Sequence, residues 1–199
     1  MGTIAPLKIS ENLQSTINEK VVLPTLSELK KQKILFRGFI FFGLMINNDQ
    51  PSLLEYNCRL GDPETQVILP LIEEDFGSIL FDLAQGKVKA LRLRNLMAAC
   101  VVMAAPGYPL NPESRVVIEG DLDFATHTSY FLHAGSMLNK NQWLTKGGRV
   151  LNAIGLGSTY QEALKNAYAQ ASKVSWRGMQ MRSDIGFSIS TSSTSIKQS

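Results

Sequence analysis

Cysteine and histidine each occur only twice among 199 residues, and that scarcity removes several chemistries at once. Cys58 and Cys100 lack metal-site spacing, so neither a zinc cluster nor a disulfide framework is indicated. Both fall in expected strands with apolar neighbours, and both are expected to be buried free thiols in a reducing compartment. His127 and His133 have no nucleophile partner; His133, on an apolar strand, reads as a structural group. No stretch reaches the ~18 apolar residues of a spanning helix. The start of the chain has no basic segment leading into an apolar core, so neither membrane insertion nor secretion is expected and the location is expected to be cytoplasmic. An excess of one charge is missing too: 20 basic and 17 acidic residues leave a net charge of +3. The two signs are mixed along the chain, which argues against a broad basic face for nucleic acid. The tight run Lys30-Lys31-Gln32-Lys33 reads as a solvated helix end.

What remains is an ordinary globular composition, 44% hydrophobic and 19% charged, enough for one large or two small domains. Ser10 is placed to cap a helix carrying Leu13, Ile17, Val21, Leu26 and Leu29 to about Lys31, with a kink or break expected at Pro24. Phe36 to Ile46 is an almost unbroken apolar run, the pattern of a strand covered on both faces. Residues 47–52 are turn-forming, so the next strand is expected to return antiparallel as a hairpin. A helix with Phe76, Ile79, Leu80, Leu83 and Ala84 is expected to stop near Gly86. Residues 87–94 read as a linker. Strands are then expected at Met97–Ala105, Val116–Ile118, Ser129–Ala134 and Val150–Leu156, a helix from Thr159 to Lys173, and a closing strand from Val174 to Met181. Gly155-Leu156-Gly157 lacks the full dinucleotide fingerprint and reads as a strand-to-helix turn. The Ser/Thr-rich residues 188–199 have too little apolar surface to offset the entropy of ordering and are expected to be disordered.

The chemistry concentrates at Leu53-Leu54-Glu55-Tyr56-Asn57-Cys58-Arg59-Leu60-Gly61-Asp62-Pro63-Glu64. Alternate residues of a strand share a face, so Glu55, Asn57 and Arg59 are expected on one side and Leu54, Tyr56 and Cys58 on the other. A carboxylate and an amide oxygen at that spacing are hard donors suited to magnesium. A guanidinium in the same row suits a phosphate or acyl-phosphate oxygen, which it can bond bidentately. Phosphoryl transfer is the implied reaction type. A half-exposed strand whose polar face only meets water would show the same alternation, and the residues alone leave both readings open. Asp62 is expected as an N-cap, with Pro63 at the first helical position and Glu64 against the helix dipole. Capping alone would account for both acids.

The run Leu54 to Gln66 resembles the signature of phosphoribosylamine-glycine ligase, an ATP-grasp enzyme of purine biosynthesis. Further landmarks are similar in order and spacing: Met1-Gly2 with Ala5-Pro6, Phe36-Arg37-Gly38, Gly43-Leu44-Met45, Gly107-Tyr108-Pro109, His133-Ala134-Gly135, Gly147-Gly148-Arg149-Val150-Leu151 and Arg182-Ser183-Asp184-Ile185-Gly186. The resemblance implies an α+β chain: the C-terminal half of an ATP-grasp domain (1–86), the linker 87–94, and a small, mostly antiparallel sheet domain with one long helix (95–187). It implies that the family's nucleotide-fold domain and most of its ATP cradle lie outside this sequence. It also implies Mg2+ (or Mn2+) held by Glu55 and Asn57, with no acid between Phe39 and Ile46 to add a ligand. Arg59 would steady the phosphoryl group as the catalytic residue, and Arg59 and Asp62 would contact substrate. ATP, glycine and 5-phosphoribosylamine would be the substrates, with no nucleic acid and no membrane as partner. A non-catalytic remnant or split subunit, working with a polypeptide that carries the missing domains, is the alternative.

Overall fold

The structure is a computed structural model and describes residues 1–187; the tail expectation for 188–199 lies outside them. The chain separates into two compact units that interleave along the sequence: Met1–Pro6, Asp62–Ile72 and Leu93 onward form one, Leu7–Gly61 and Glu73–Arg92 the other. A single boundary at 87–94 does not describe this partition, because the first residues and the Asp62–Ile72 segment pack with the C-terminal sheet.

The first unit is built on a four-stranded antiparallel sheet ordered β1-β4-β9-β6. Its strands are β1 (Gly2–Ala5), β4 (Met97–Ala104), β9 (Arg149–Gly157) and β6 (Ser129–His133). The two-residue alternation decides what each face meets. Ala99, Val101 and Met103 with Leu151 and Ala153 join Ala163, Ala167 and Ala171 in one core cluster. Ala98, Cys100, Val102, Ile154 and Leu156 join Val67 and Leu71 in another. Burial on both faces explains why β4 and β9 read as continuous apolar runs.

The alanines belong to helix α5 (Tyr160–Ala171), whose N-cap Thr159 accepts a hydrogen bond from the Glu162 N–H. This small-residue stripe brings the helix close to the sheet: a Cβ on Gly155 would lie 2.2 Å from the Ala163 carbonyl oxygen. Three strands were not foreseen from sequence: β1 and the hairpin β7 (Ser136–Asn139) and β8 (Gln142–Thr145). The strand expected at Val116–Ile118 reduces to a bridge between Val117 and Leu144, and β5 is Glu119–Gly120. The closing strand keeps only Val174–Ser175 (β10), since Gly178, with φ of +70°, turns the chain away before Gln180 pairs with Ala104.

Helix α3 is shorter than expected. It spans only Thr65–Ile68 and tightens into a 3₁₀ turn at Leu69–Leu71. Pro70 is the cause, as its ring cannot donate to the ladder and clashes with the carbonyl one turn earlier.

In the second unit the helix running from Glu11 to Lys31 is not broken at Pro24. Helices α1 (Glu11–Ile17) and α2 (Leu23–Lys31) are joined through a π turn at Asn18–Val22, where the Leu23 N–H bonds the Asn18 carbonyl. A wider turn just before the proline absorbs the bond that its ring would otherwise disrupt. The hairpin follows as β2 (Phe41–Asn47) and β3 (Gln50–Asn57), then α4 (Phe76–Ala84), capped by Asp75 and ended by Gly86 at φ +76°. Residues 36–40 are not strand, and β2 is only half-buried because the hairpin is a two-stranded sheet.

Candidate functional site

Strand β3 is seated by its back face. Tyr56 meets the Phe42 ring edge-on at 5.6 Å, and its hydroxyl lies 2.8 Å from Thr25 Oγ1 on α2. Lys20 Nζ donates to Gln50 Oε1 at 2.7 Å at the far end of the same strand. With Tyr56 committed to the helix, its neighbours Glu55 and Asn57 share the opposite face. Their contact shows it: Asn57 Nδ2 donates to Glu55 Oε1 at 3.0 Å.

Gly43 pairs with Glu55 across the hairpin, and a Cβ on Gly43 would lie 2.8 Å from Glu55 Cγ. The glycine leaves the space that the glutamate side chain occupies. Next to this pair the register shifts between Gly43 and Leu44, so Leu53 and Glu55 have partners while Leu54 is passed over. Such a bulge re-aims side chains at a strand end.

The donor set fits a hard divalent cation. Among the described residues Glu55 makes no ion pair, and neither Glu55 Oε2 nor the Asn57 amide oxygen has a hydrogen-bond partner. Two protein oxygens leave most of an octahedral shell to water and ligand phosphates, as magnesium prefers. No group of three or more His, Cys, Asp and Glu side chains with metal-binding geometry occurs among the described residues.

Arg59 lies past the end of β3 on an exposed bend, with Nη1 donating to the Leu60 carbonyl at 3.2 Å. The expected row therefore reaches only to Asn57, and no hydrogen bond or ion pair among the described residues joins Arg59 to Glu55 or Asn57. Cys58 is exposed rather than buried, because β3 ends at Asn57 and the backbone bends there. Cys100 is fully buried, and desolvation first, then the carboxylates of Asp62 and Glu64, push its thiol up to about 12.

Asp62, in the other unit, is not a helix cap; α3 begins three residues later. Its carboxylate is held by two side chains instead. Gln66 Nε2 donates to Oδ1 at 2.8 Å, and Arg149 Nη1 lies 3.2 Å from Oδ2 while also donating to the Asp62 carbonyl at 2.9 Å. Arg149 is steadied in turn by Tyr108, whose hydroxyl accepts from Nε at 3.1 Å, and this bond is the leading cause of its raised pKa. A Cβ on Gly148 would strike the Tyr108 ring at 2.5 Å. Reading the sequence alone missed Arg149 and Tyr108 as site residues, although Gly147-Gly148 before an arginine was a signal. Gly148 admits the Tyr108 ring that supports the arginine following it.

His133 makes structural contacts: its Nδ1 lies 2.6 Å from Ser136 Oγ and its ring 4.4 Å from that of Trp143.

Sequence and structural comparisons agree with these elements. Residues 1–65 match the family described as phosphoribosylglycinamide synthetase, ATP-grasp (A) domain, and residues 98–188 match its C domain. The fold is that of the ATP-grasp class. Biotin carboxylase structures share it at 14% and 16% identity with TM-scores of 0.62 and 0.61. The crystal structure of phosphoribosylamine-glycine ligase from Thermotoga maritima is far nearer, at 36% identity and a TM-score of 0.82, covering 93% of this chain and 46% of that one. The enzyme of the same name from Caldanaerobacter subterraneus is 38% identical over 188 residues, covering 93% of this chain and 45% of its own length; that from Fusobacterium nucleatum is 36% identical over 191 residues, covering 94% and 45%. This chain belongs to the phosphoribosylamine-glycine ligase family and spans a little under half the length of these relatives. No helix among the described residues is long and apolar enough to cross a membrane.

Proposed function

We propose that the chain supplies the metal-binding strand and the C-terminal module of an ATP-dependent ligase that joins glycine to 5-phosphoribosylamine in purine biosynthesis. The observation that carries this reading is the Glu55–Asn57 pair, two oxygen donors fixed on one face of β3 and given room by Gly43.

Glu55 and Asn57 would hold magnesium, or manganese, which when bound offsets phosphate charge and orients ATP for transfer. Arg59, which has no acidic partner among the described residues, would steady the phosphoryl group passing to the glycine carboxylate and the acyl phosphate so formed. The amine of phosphoribosylamine then attacks the acyl carbon, giving the amide with release of phosphate. Asp62, held by Arg149 and Gln66, would orient an amine of a substrate. Residues 1–86 and 95–187, joined by 87–94, are proposed as the two inherited modules, a division supported by the two family matches.

The ATP cradle implied by the family would come from polypeptide beyond these residues. Partner dependence is the second reading, and the hairpin favours it: among the described residues β2 and β3 pair only with each other, with Met45 and Leu54 exposed. A cytoplasmic site of action belongs to the same proposal and draws support from two unbridged thiols.

Calorimetric titration of the chain with Mg-ATP tests the metal assignment. Binding should weaken at least about tenfold in Glu55→Ala, the cost of a charged contact. Equal affinity in both proteins would remove Glu55 from the site.

A further inference from the structure

An Asp–Arg pair that only tied two segments together would be expected to meet fork to fork, with two N–H groups of one guanidinium edge on the two carboxylate oxygens. Arg149 does not do this. Of its five N–H groups, Nε is bonded to Tyr108, and Nη1 serves the carbonyl and the Oδ2 of Asp62. No hydrogen bond or ion pair among the described residues engages Nη2. The side chain keeps 30% of its surface exposed, and that of Asp62 57%. Each edge of the guanidinium is thus anchored by one donor, Nε on one and Nη1 on the other, and the Nη2 group between them keeps its two N–H donors open.

We propose that the free Nη2 group of Arg149 is an anion subsite of the ligase, binding the carboxylate or phosphate of a small substrate; the proposal rests on the ligase reading for the identity of that substrate. Three features make it a built site. Tyr108 and the Asp62 carbonyl hold the guanidinium plane, so little rotamer freedom is left to lose on binding. Gly148 leaves room for the Tyr108 ring that supports it. The Asp62 carboxylate alongside complements an amine, a group that glycine and phosphoribosylamine both carry next to their anion. Opposite charges 3.2 Å apart therefore present a pattern matched to either substrate.

The test uses the 15N-labelled 199-residue chain, titrated separately with glycine and with ribose 5-phosphate while arginine side-chain and Gly147–Gly148 amide signals are followed by NMR. Saturable shifts at Arg149 are expected with one ligand, and which one responds names the anion as carboxylate or phosphate. Arg149→Lys, which keeps the charge but loses the fork, should weaken that binding about tenfold or more. Tyr108→Phe, which frees the guanidinium without removing it, should weaken it less. Should Arg149→Lys fail to fold, the wild-type titration and Tyr108→Phe still decide. No saturable shift with either ligand in a folded chain overturns the inference, as does undiminished binding in a folded Arg149→Lys. If that failure comes with Mg-ATP binding intact at Glu55, the ligase reading stands alone; anion binding without Mg-ATP binding leaves the subsite and removes the ligase reading.

Discussion

Replacing Gly43 by alanine separates fold from function at the proposed metal site. The added Cβ would lie 2.8 Å from Glu55 Cγ, closer than side-chain carbons approach, while the Glu55 carbonyl oxygen, at 3.6 Å, is in ordinary contact. Gly43 does not have a positive φ, so alanine meets no backbone strain. In a strand it should gain about 0.5–1 kcal/mol from reduced unfolded-state freedom. Against this stands the displacement of one flexible, exposed side chain, which can swing outward at small cost. Thermal stability should therefore be unchanged or slightly raised. The displaced carboxylate breaks its bond with Asn57, and the metal loses one of two protein donors. Loss of a charged contact of this kind is worth about 1.5–3 kcal/mol, roughly 10- to 150-fold in affinity. Manganese binding followed by electron paramagnetic resonance, beside a thermal melt, reads both quantities. A Gly43→Ala chain that binds manganese like the wild type would refute the placement of Glu55.

Gly155→Ala should act in the opposite way, since its Cβ would meet backbone atoms of Ala163 and Ala167 at 2.2 Å; a loss on the order of 3 kcal/mol or more is expected, read by urea unfolding. Thr159→Ala removes the N-cap of α5 and should cost about 1 kcal/mol in the same assay. At pH 8 an aromatic disulfide reagent should titrate one thiol, the exposed Cys58, and reach Cys100 only in denaturant; two rapid equivalents in the native state would contradict the burial of Cys100. The Cys100 thiol is raised to about 12 from about 8.5 when unfolded, so its contribution to stability is full below ~8.5 and falls as pH rises toward 12. Denaturant midpoints measured across that window should fall accordingly.

Much of this was legible in the sequence because local rules and tertiary packing agreed. Apolar runs on β4 and β9, the alanine stripe of α5 and the Thr159 cap all pointed to elements that formed. The alternation around Glu55 was legible because β3 forms there and its two-residue period puts Glu55 and Asn57 on one face. Departures arose where distant contacts decided. Asp62 looked like a cap, yet Arg149, 87 positions later, claims its carboxylate. Residues 2–5 form a strand only because β4 offers an edge, and no periodicity in four residues could announce that. Arg59 left the expected row because β3 ends at Asn57, before it, a boundary that alternation cannot reveal. The apolar run at Phe36–Ile46 suggested full burial, whereas β2 has a single partner strand among the described residues.

Joining the chain to the remaining N-terminal length of a relative, as one polypeptide, and measuring ADP release tests the ligase function most directly. Release should require both glycine and phosphoribosylamine, and should fall on the order of 10²-fold in Arg59→Ala. A folded chimera that releases no ADP with all substrates present, or one in which Arg59→Ala turns over normally, would contradict the account.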